Sequence, residues 1–257
     1  MQEKIVTGKD IAERMKNVKH KIAVTSGKGG VGKSTVAALL AVHYARKGYK
    51  VGIFDADFLG PSIPKLFGVE DKAKELIIRE SGVSPVYSEK YGIKILSIQF
   101  MLPSKESPVI WRGLAINTAL RSFLGSVDWE ELDYLIFDTP PGTGDAILTV
   151  MDFVDLDGLI MVTIPQELSA QIVEKAINMA KKMDTDVLGI VENMSYFECT
   201  KCGERYYLFG KSRAVELARK YDIDLIAEIP YDMELLDLAE RGRIEDYEVD
   251  YFEYFYI

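Results

Sequence analysis

Thiol and imidazole groups are scarce in this chain of 257 residues, which contains only two cysteines and two histidines. Two cysteines cannot form the disulfide framework of a small secreted protein. The longest apolar runs, "VAALLAV" and "LIMVTI", are too short to span a bilayer. The first twenty residues lack the apolar core of a signal peptide. We therefore expect a cytoplasmic protein with no membrane partner.

Basic residues are outnumbered, since 31 Lys and Arg face 40 Asp and Glu and the net charge is −9. Binding to a nucleic-acid backbone needs a basic face, so the composition disfavours a nucleic-acid partner. The apolar fraction of 48% is typical of a globular protein, and the length suits one α/β domain.

Short apolar runs alternate with segments of helical periodicity, without repeats or low-complexity linkers. Strand–helix alternation predicts an α/β fold, a mostly parallel sheet with helices on both faces. The predicted strands are "KIAVTS", "KVGIFDA", "YLIFDT", "GLIMVTI", "DVLGIVE" and "DLIAEIP", with "VSPVY" and "KILSIQF" as further strands in a less regular stretch.

The segment "GKGGVGKS" at 27–34 fits the phosphate-binding pattern G-x-x-x-x-G-K-[ST]. It follows an apolar strand and opens a helix, so backbone N–H groups and the helix N-terminus would surround phosphate oxygens. Lys33 would reach the β- and γ-phosphates, and the Ser34 hydroxyl would hold Mg²⁺. The alternative is a glycine-rich turn that binds nothing. The candidate nucleotide-binding residues here are Gly27, Lys28, Gly29, Gly30, Val31, Gly32, Lys33, Ser34 and Thr35.

Aspartates close two predicted strands, at the sheet edge where open α/β sheets bind ligands. Asp138 ends "YLIFD" and suits a residue that holds Mg²⁺ through water. Asp55 and Asp57 follow "KVGIF", and each could instead be a turn former or a helix cap. The loop "PPGTGD" at 140–145 is the candidate sensor of the γ-phosphate.

Asn193 ends another strand, in "VENMS", and is the candidate contact for the base. A guanine reader of the Asn-Lys-x-Asp type needs a carboxylate that this segment lacks, so we expect ATP. Asn at a strand end is also a common turn residue.

Both cysteines, Cys199 and Cys202, stand in "ECTKCGERYYLFG". Two thiolates do not complete a tetrahedral metal site. An iron–sulfur cluster, a zinc clasp and a reactive dithiol are the three possibilities. Gly203 allows a tight turn, and Tyr206, Tyr207 and Phe209 are available to pack beneath the loop.

Together, "SGKGGVGKST", "DADFLGPSIPKLFG", "WRG", "LDYLIFDTPPGTGD", "ENMSYFECTKCG" and "IPYD" resemble the Mrp/ApbC-type P-loop ATPases that carry iron–sulfur clusters. These belong to the MinD/ParA class with a deviant Walker A motif. The resemblance extends from about residue 10 to about residue 243. We expect an N-terminal helical lead-in at 1–20, a single P-loop ATPase domain at 21–243 and, outside the resemblance, an acidic aromatic tail at 244–257.

The resemblance also implies roles. Lys28 would cross a homodimer interface to the partner's nucleotide, Asp57 would orient the attacking water and Asp55 would support Mg²⁺. Cys199 and Cys202 of two chains would hold one bridging [4Fe–4S] cluster for transfer to apo iron–sulfur proteins, with slow Mg²⁺-dependent ATP hydrolysis. Trp111 and Arg112 of "WRG" would serve a switch or the interface.

Two other functions compete with the cluster carrier. A positioning ATPase that binds membrane needs a basic amphipathic C-terminal helix, whereas the tail "EDYEVDYFEYFYI" is acidic. An electron-transfer ATPase related to the nitrogenase iron protein also bridges a cluster across a dimer. Its ligand cysteines are far apart in sequence, in contrast to the C-x-x-C pair here.

Overall fold

A computed structural model describes residues 6–58, 60–79, 82–101 and 113–257. Trp111 and Arg112 lie outside these ranges. The strands and helices follow the alternation predicted from the sequence. In chain order they are α1 (Gly8–Met15), β1 (Val18–Ser26), α2 (Lys33–Arg46), β2 (Val51–Asp55), α3 (Ile63–Leu66), β3 (Ile77–Arg79), β4 (Gly82–Ser84), β5 (Val86–Tyr87), β6 (Lys94–Ser97), α4 (Gly113–Leu124), β7 (Leu132–Asp138), α5 (Asp145–Phe153), β8 (Gly158–Thr163), α6 (Glu167–Lys182), β9 (Val187–Glu192), β10 (Phe197–Glu198), β11 (Arg205–Tyr206), α7 (Ala214–Tyr221), β12 (Leu225–Glu228) and α8 (Met233–Glu240).

The main sheet of the described residues has eight strands in the order β12-β9-β8-β1-β7-β2-β6-β5. All neighbouring pairs are parallel except β5 with β6. This arrangement confirms the predicted fold class. The segment "VSPVY" was expected to be one strand, but it divides at Pro85. Its first half pairs with β3 and its second half with β6, since proline has no N–H for a continuous ladder.

Alternating strand residues face two separate apolar cores, as a sheet buried on both sides requires. Ile22 and Val24 of β1 pack with α2 and α8 on one face. Ala23 packs on the other face with α1 and α4–α7. Within the described ranges no helix is both long and apolar enough to cross a membrane.

The register of the central strands brings acidic side chains to one edge. Asp138 at the end of β7 is aligned with Asp55 at the end of β2 on one side and with Val24 of β1 on the other. Because β1 runs directly into the glycine-rich loop and α2, the two aspartates end up beside that loop.

The last residues of the chain, for which the sequence predicts no structure, pack against α2. The Arg46 guanidinium donates to the carbonyls of Tyr247, Glu248 and Glu245. His43 Nδ1 lies 2.8 Å from Asp250 Oδ1, and Phe252 is 1% exposed within the core of the α2 face. This segment therefore completes the apolar layer over α2.

We predict that Phe252→Ala lowers the free energy of unfolding by about 3–5 kcal/mol, because it empties a buried aromatic site. Chemical denaturation measures the change. Tyr254 is the matched control: it is 87% exposed, and Tyr254→Ala should change stability by less than about 0.5 kcal/mol. Equal effects of the two substitutions would contradict the packing of this segment.

Candidate nucleotide site and cysteine hairpin

The glycine-rich loop surrounds a cavity of about 270 Å³ between β1 and α2. Its lining includes Gly29, Gly30, Gly32, Lys33, Ser34 and Thr35 of the predicted motif, together with Asp57 and Pro141. Gly30 and Gly32 have φ angles of 78° and 77°, the left-handed region that glycine adopts without strain. The loop thus has the concave backbone that phosphate binding requires.

Lys33, which lines this cavity, forms a buried ion pair with Asp138. The Lys33 side chain is 6% exposed and that of Asp138 is fully buried, and Lys33 Nζ donates to Asp138 Oδ1. Lys33 Nζ also lies 3.3 Å from the Ser34 hydroxyl. The predicted phosphate lysine, Mg²⁺-binding hydroxyl and strand-end carboxylate are therefore brought together.

Asp55 adds a second buried carboxylate. Its oxygens accept from Ser97 Oγ at 3.1 Å and from the backbone N–H groups of Asp57 at 3.2 Å and Ile63 at 3.3 Å. Burial, together with the nearby charge of Asp138, raises the pKa of Asp55 to about 8. Burial also raises the pKa of Asp138, although Lys33 acts in the opposite direction.

The site has more carboxyl groups than basic side chains, which fits a divalent cation. One lysine faces two fully buried carboxylates, and Asp138 Oδ2 has no hydrogen-bond partner among the described residues. Oxygen donors of this kind are what Mg²⁺ prefers. Ser34, Asp138 and Asp55 are therefore suitable to hold Mg²⁺ directly or through water.

Two predicted nucleotide-binding residues make contacts that the sequence does not predict. Lys28 Nζ donates to Gln166 Oε1 of the same chain at 2.5 Å. Asn193 Nδ2 donates to the Val31 carbonyl at 2.9 Å, and this hydrogen bond ties the end of β9 to the loop. Neither contact tests the role predicted for its residue, so the partner's nucleotide for Lys28 and the base for Asn193 stay predictions.

Sequence reasoning missed Ser97 and Gln166. Both follow the rule that found Asp138, since Ser97 ends β6 and Gln166 follows β8 at the same sheet edge. The signal was therefore present, but it is weak for a single serine or glutamine. At Gly27 the close approach of α6 excludes a side chain, because a Cβ there would lie 2.3 Å from Ile172 Cγ2.

Cys199 and Cys202 lie at the turn of a small antiparallel hairpin formed by β10 and β11. The Cys199 N–H donates to the Glu204 carbonyl, and the Gly203 N–H donates back to the Cys199 carbonyl. Cys199 is half-buried, Cys202 is exposed and both thiols are free. Backbone N–H groups of Lys201 and Cys202 hold the pKa of Cys199 below its usual value. The turn therefore favours a thiolate, the form that binds metal.

The aromatic residues after Cys202 do not pack beneath the hairpin, so that expectation was wrong. Tyr207 and Leu208 are 52% and 60% exposed, and Tyr206 and Phe209 are also exposed. A ribbon with two residues in each strand is too small to cover them. The Arg205 guanidinium lies over the Tyr196 ring at 4.3 Å, and Tyr207 meets the same ring only edge-on, at 6.5 Å between centroids. The hairpin thus presents two thiols beside an exposed apolar segment.

The parallel sheet, the glycine-rich loop and the Lys33–Asp138 pair define a P-loop NTPase. The family model ParA, which describes the NUBPL iron-transfer P-loop NTPases, matches residues 17–252, and the chain belongs to this family. It is similar to proteins called iron-sulfur cluster carrier protein: 46% identical over 90% of this chain in Saccharolobus solfataricus and 47% over 90% in Aquifex aeolicus. The matches span 77% and 63% of those two proteins.

Solved structures share this fold. A nucleotide-binding protein from Archaeoglobus fulgidus in complex with ADP is 57% identical, with a TM-score of 0.88 over 98% of both chains. MinD from Pyrococcus furiosus is 22% identical, with a TM-score of 0.63 over 90% of this chain and 92% of that one. The second likeness shows the fold alone.

We predict that Gly32→Ala lowers the stability of the nucleotide-free protein more than Gly30→Ala does. Both positions have a positive φ, but a Cβ at Gly32 would lie 2.1 Å from Asn193 Nδ2, whereas one at Gly30 meets nothing within 4 Å. The expected difference in unfolding free energy is about 1–3 kcal/mol, the usual cost of overpacking. Chemical denaturation compares the two variants, and equal losses would show that backbone strain alone matters.

Proposed function

We propose that this protein is an ATP-binding and ATP-hydrolysing carrier that holds a [4Fe–4S] cluster between two chains and transfers it to apo iron–sulfur proteins. The observation that carries the proposal is the exposed hairpin with two free thiols, one of them with a lowered pKa, in a family of iron-transfer P-loop NTPases. The relatives named as iron-sulfur cluster carriers support the same cargo.

A second copy of the chain supplies the missing cluster ligands in this proposal. A [4Fe–4S] cluster takes four thiolates, and the chain has only two cysteines. Across the described part of the chain, no group of three His, Cys, Asp or Glu side chains is placed to hold a metal ion. The exposed apolar segment Tyr206–Phe209, directly after the hairpin turn, suits contact between two hairpins.

In this proposal the nucleotide site carries out ATP hydrolysis with the residues around the phosphate loop. Lys33 would exchange Asp138 for the β- and γ-phosphates. Ser34, Asp138 and Asp55 would hold Mg²⁺, which would neutralise charge on the phosphates. Asp57 is 8% exposed, lines the cavity and orients the attacking water. Lys28 leaves Gln166 to reach the partner's nucleotide in the dimer, and Asn193 contacts the adenine.

We predict that Lys33→Ala reduces ATP hydrolysis about 100-fold or more, because it removes the cation that stabilises the transferring phosphate. Released phosphate is measured under excess MgATP. Lys47→Ala is the control: Lys47 is exposed just after the last turn of the same helix and should leave the rate unchanged. Hydrolysis at the wild-type rate in Lys33→Ala would remove this site from the reaction.

We predict that Cys199→Ser and Cys202→Ser each abolish cluster loading while ATP binding stays intact, since the phosphate loop is built from other residues. Iron and acid-labile sulfide are measured after anaerobic reconstitution, followed by activation of an apo-aconitase-type acceptor.

Thr200→Ala, between the two cysteines, is the matched control and should load normally. Normal loading of the double serine variant would defeat the carrier proposal. Uptake of zinc alone by the wild-type protein, with iron and sulfide in excess, would make the hairpin a structural clasp.

A further inference from the structure

The three residues Asn193–Ser195, here called the link, join β9 to the cysteine hairpin and also touch the phosphate loop. Asn193 is 5% exposed, and its backbone N–H donates to the Thr163 carbonyl at 2.8 Å. Its side-chain amide donates to the Val31 carbonyl at 2.9 Å. The start of the link is therefore fixed to both the sheet and the loop.

The Asn193 side chain packs directly against the loop at Gly32. Gly32 adopts a φ of 77°, and the space that a Cβ would occupy there is filled by the Asn193 amide at 2.1 Å. Gly32 immediately precedes Lys33 and forms the N-cap of α2. A change in the backbone between Val31 and Lys33 must therefore move the Asn193 side chain or break its hydrogen bond.

The middle of the link is strained and its far end is anchored. Met194 has a φ of 52°, a left-handed conformation that is unfavourable for a residue with a side chain. Ser195 holds this turn, because its N–H donates to the Ile229 carbonyl at 2.9 Å and its hydroxyl to Glu192 at 2.7 Å. Glu192 is fully buried, and its other carboxylate oxygen has no partner among the described residues. Such strained turns are common in switch segments.

The path from the link to the thiols is short. Tyr196 follows Ser195 and accepts a hydrogen bond from the Tyr231 N–H at 2.7 Å. β10 then begins at Phe197, and Cys199 follows Asn193 by only six positions. Because so few residues separate them, a displacement of Asn193 is expected to displace the hairpin as well.

We propose that Asn193 is a positioning residue that transmits phosphate occupancy of the loop to the cysteine hairpin within one chain. Bound phosphate accepts hydrogen bonds from the loop N–H groups around Gly32. This changes the orientation of the Val31 carbonyl, which accepts the hydrogen bond from Asn193. The link then alters the exposure of Cys199 and Cys202. The inference rests on the proposed function, in which the cysteine hairpin binds the cluster.

The reactivity of the two cysteines tests the inference without any cluster. The chain has no other thiol, so the rate of reaction with a chromogenic aromatic disulfide reports on the hairpin alone. The rate is measured on apo-protein with no ligand, with MgATP and with magnesium tripolyphosphate. Tripolyphosphate has no base, so its effect separates the link from a contact between Asn193 and adenine.

In the wild-type protein we expect both ligands to change the rate about fivefold or more, the lower end of usual coupling between sites. Asn193→Ala should abolish the change at saturating ligand, and Asn193→Asp should do the same because it keeps the shape but removes the donor. Ser195→Ala, which lies outside the phosphate loop, should also abolish it while tripolyphosphate affinity stays the same. Lys220→Ala, in a surface ion pair with Glu174, is the control that keeps the full change.

Two results would overturn the inference: a wild-type rate that tripolyphosphate leaves unchanged, or Asn193 and Ser195 variants that fold normally and keep the wild-type response. Thermal denaturation and ligand titration show whether each variant is folded and saturated. Failure of the carrier proposal is recognised separately, because it shows in iron and sulfide content and not in thiol rates.

Discussion

The buried Lys33–Asp138 ion pair is the interaction on which the site depends. Burying either charge alone would cost several kcal/mol, so each holds the other in place. The strand order makes the pair possible, because β7 lies between β1 and β2 and brings Asp138 beside both the phosphate loop and Asp55. Asp55 is buried beside this pair and its pKa is raised to about 8. A ligand that brings a cation with its phosphates would let both carboxyl groups ionise and would stabilise the site.

The second constraint is the number of thiols. Two free cysteines on an exposed turn favour metal binding but cannot satisfy a cluster alone. The same sheet edge that bears Asp138 also bears the end of β9, from which the chain passes through Asn193 into the hairpin. The cysteine hairpin and the phosphate loop are thus connected through a few residues of one chain, in addition to any contact that a second chain would provide.

The features that could be predicted from the sequence are those that depend on residues close together in the chain. The strand–loop–helix around Lys33 and the aspartate that ends β7 depend on local patterns, and both were found. The contact of Asn193 with Val31 and that of Phe252 with the α2 core were not. They join residues far apart in the chain, and nothing local to either partner indicates the other. The exposure of Tyr207 likewise depends on which elements lie nearby, and its aromatic character gives no information on that point.

The most direct test of the account is the mass of the iron-loaded particle. Sedimentation of anaerobically reconstituted protein, with iron and sulfide counted in the same fractions, should give a dimer with about four iron atoms for two chains. Removal of iron by a chelator, without nucleotide, should return it towards the monomer. A monomer that carries the full iron content would contradict the shared cluster, because one chain has only two thiolates to offer.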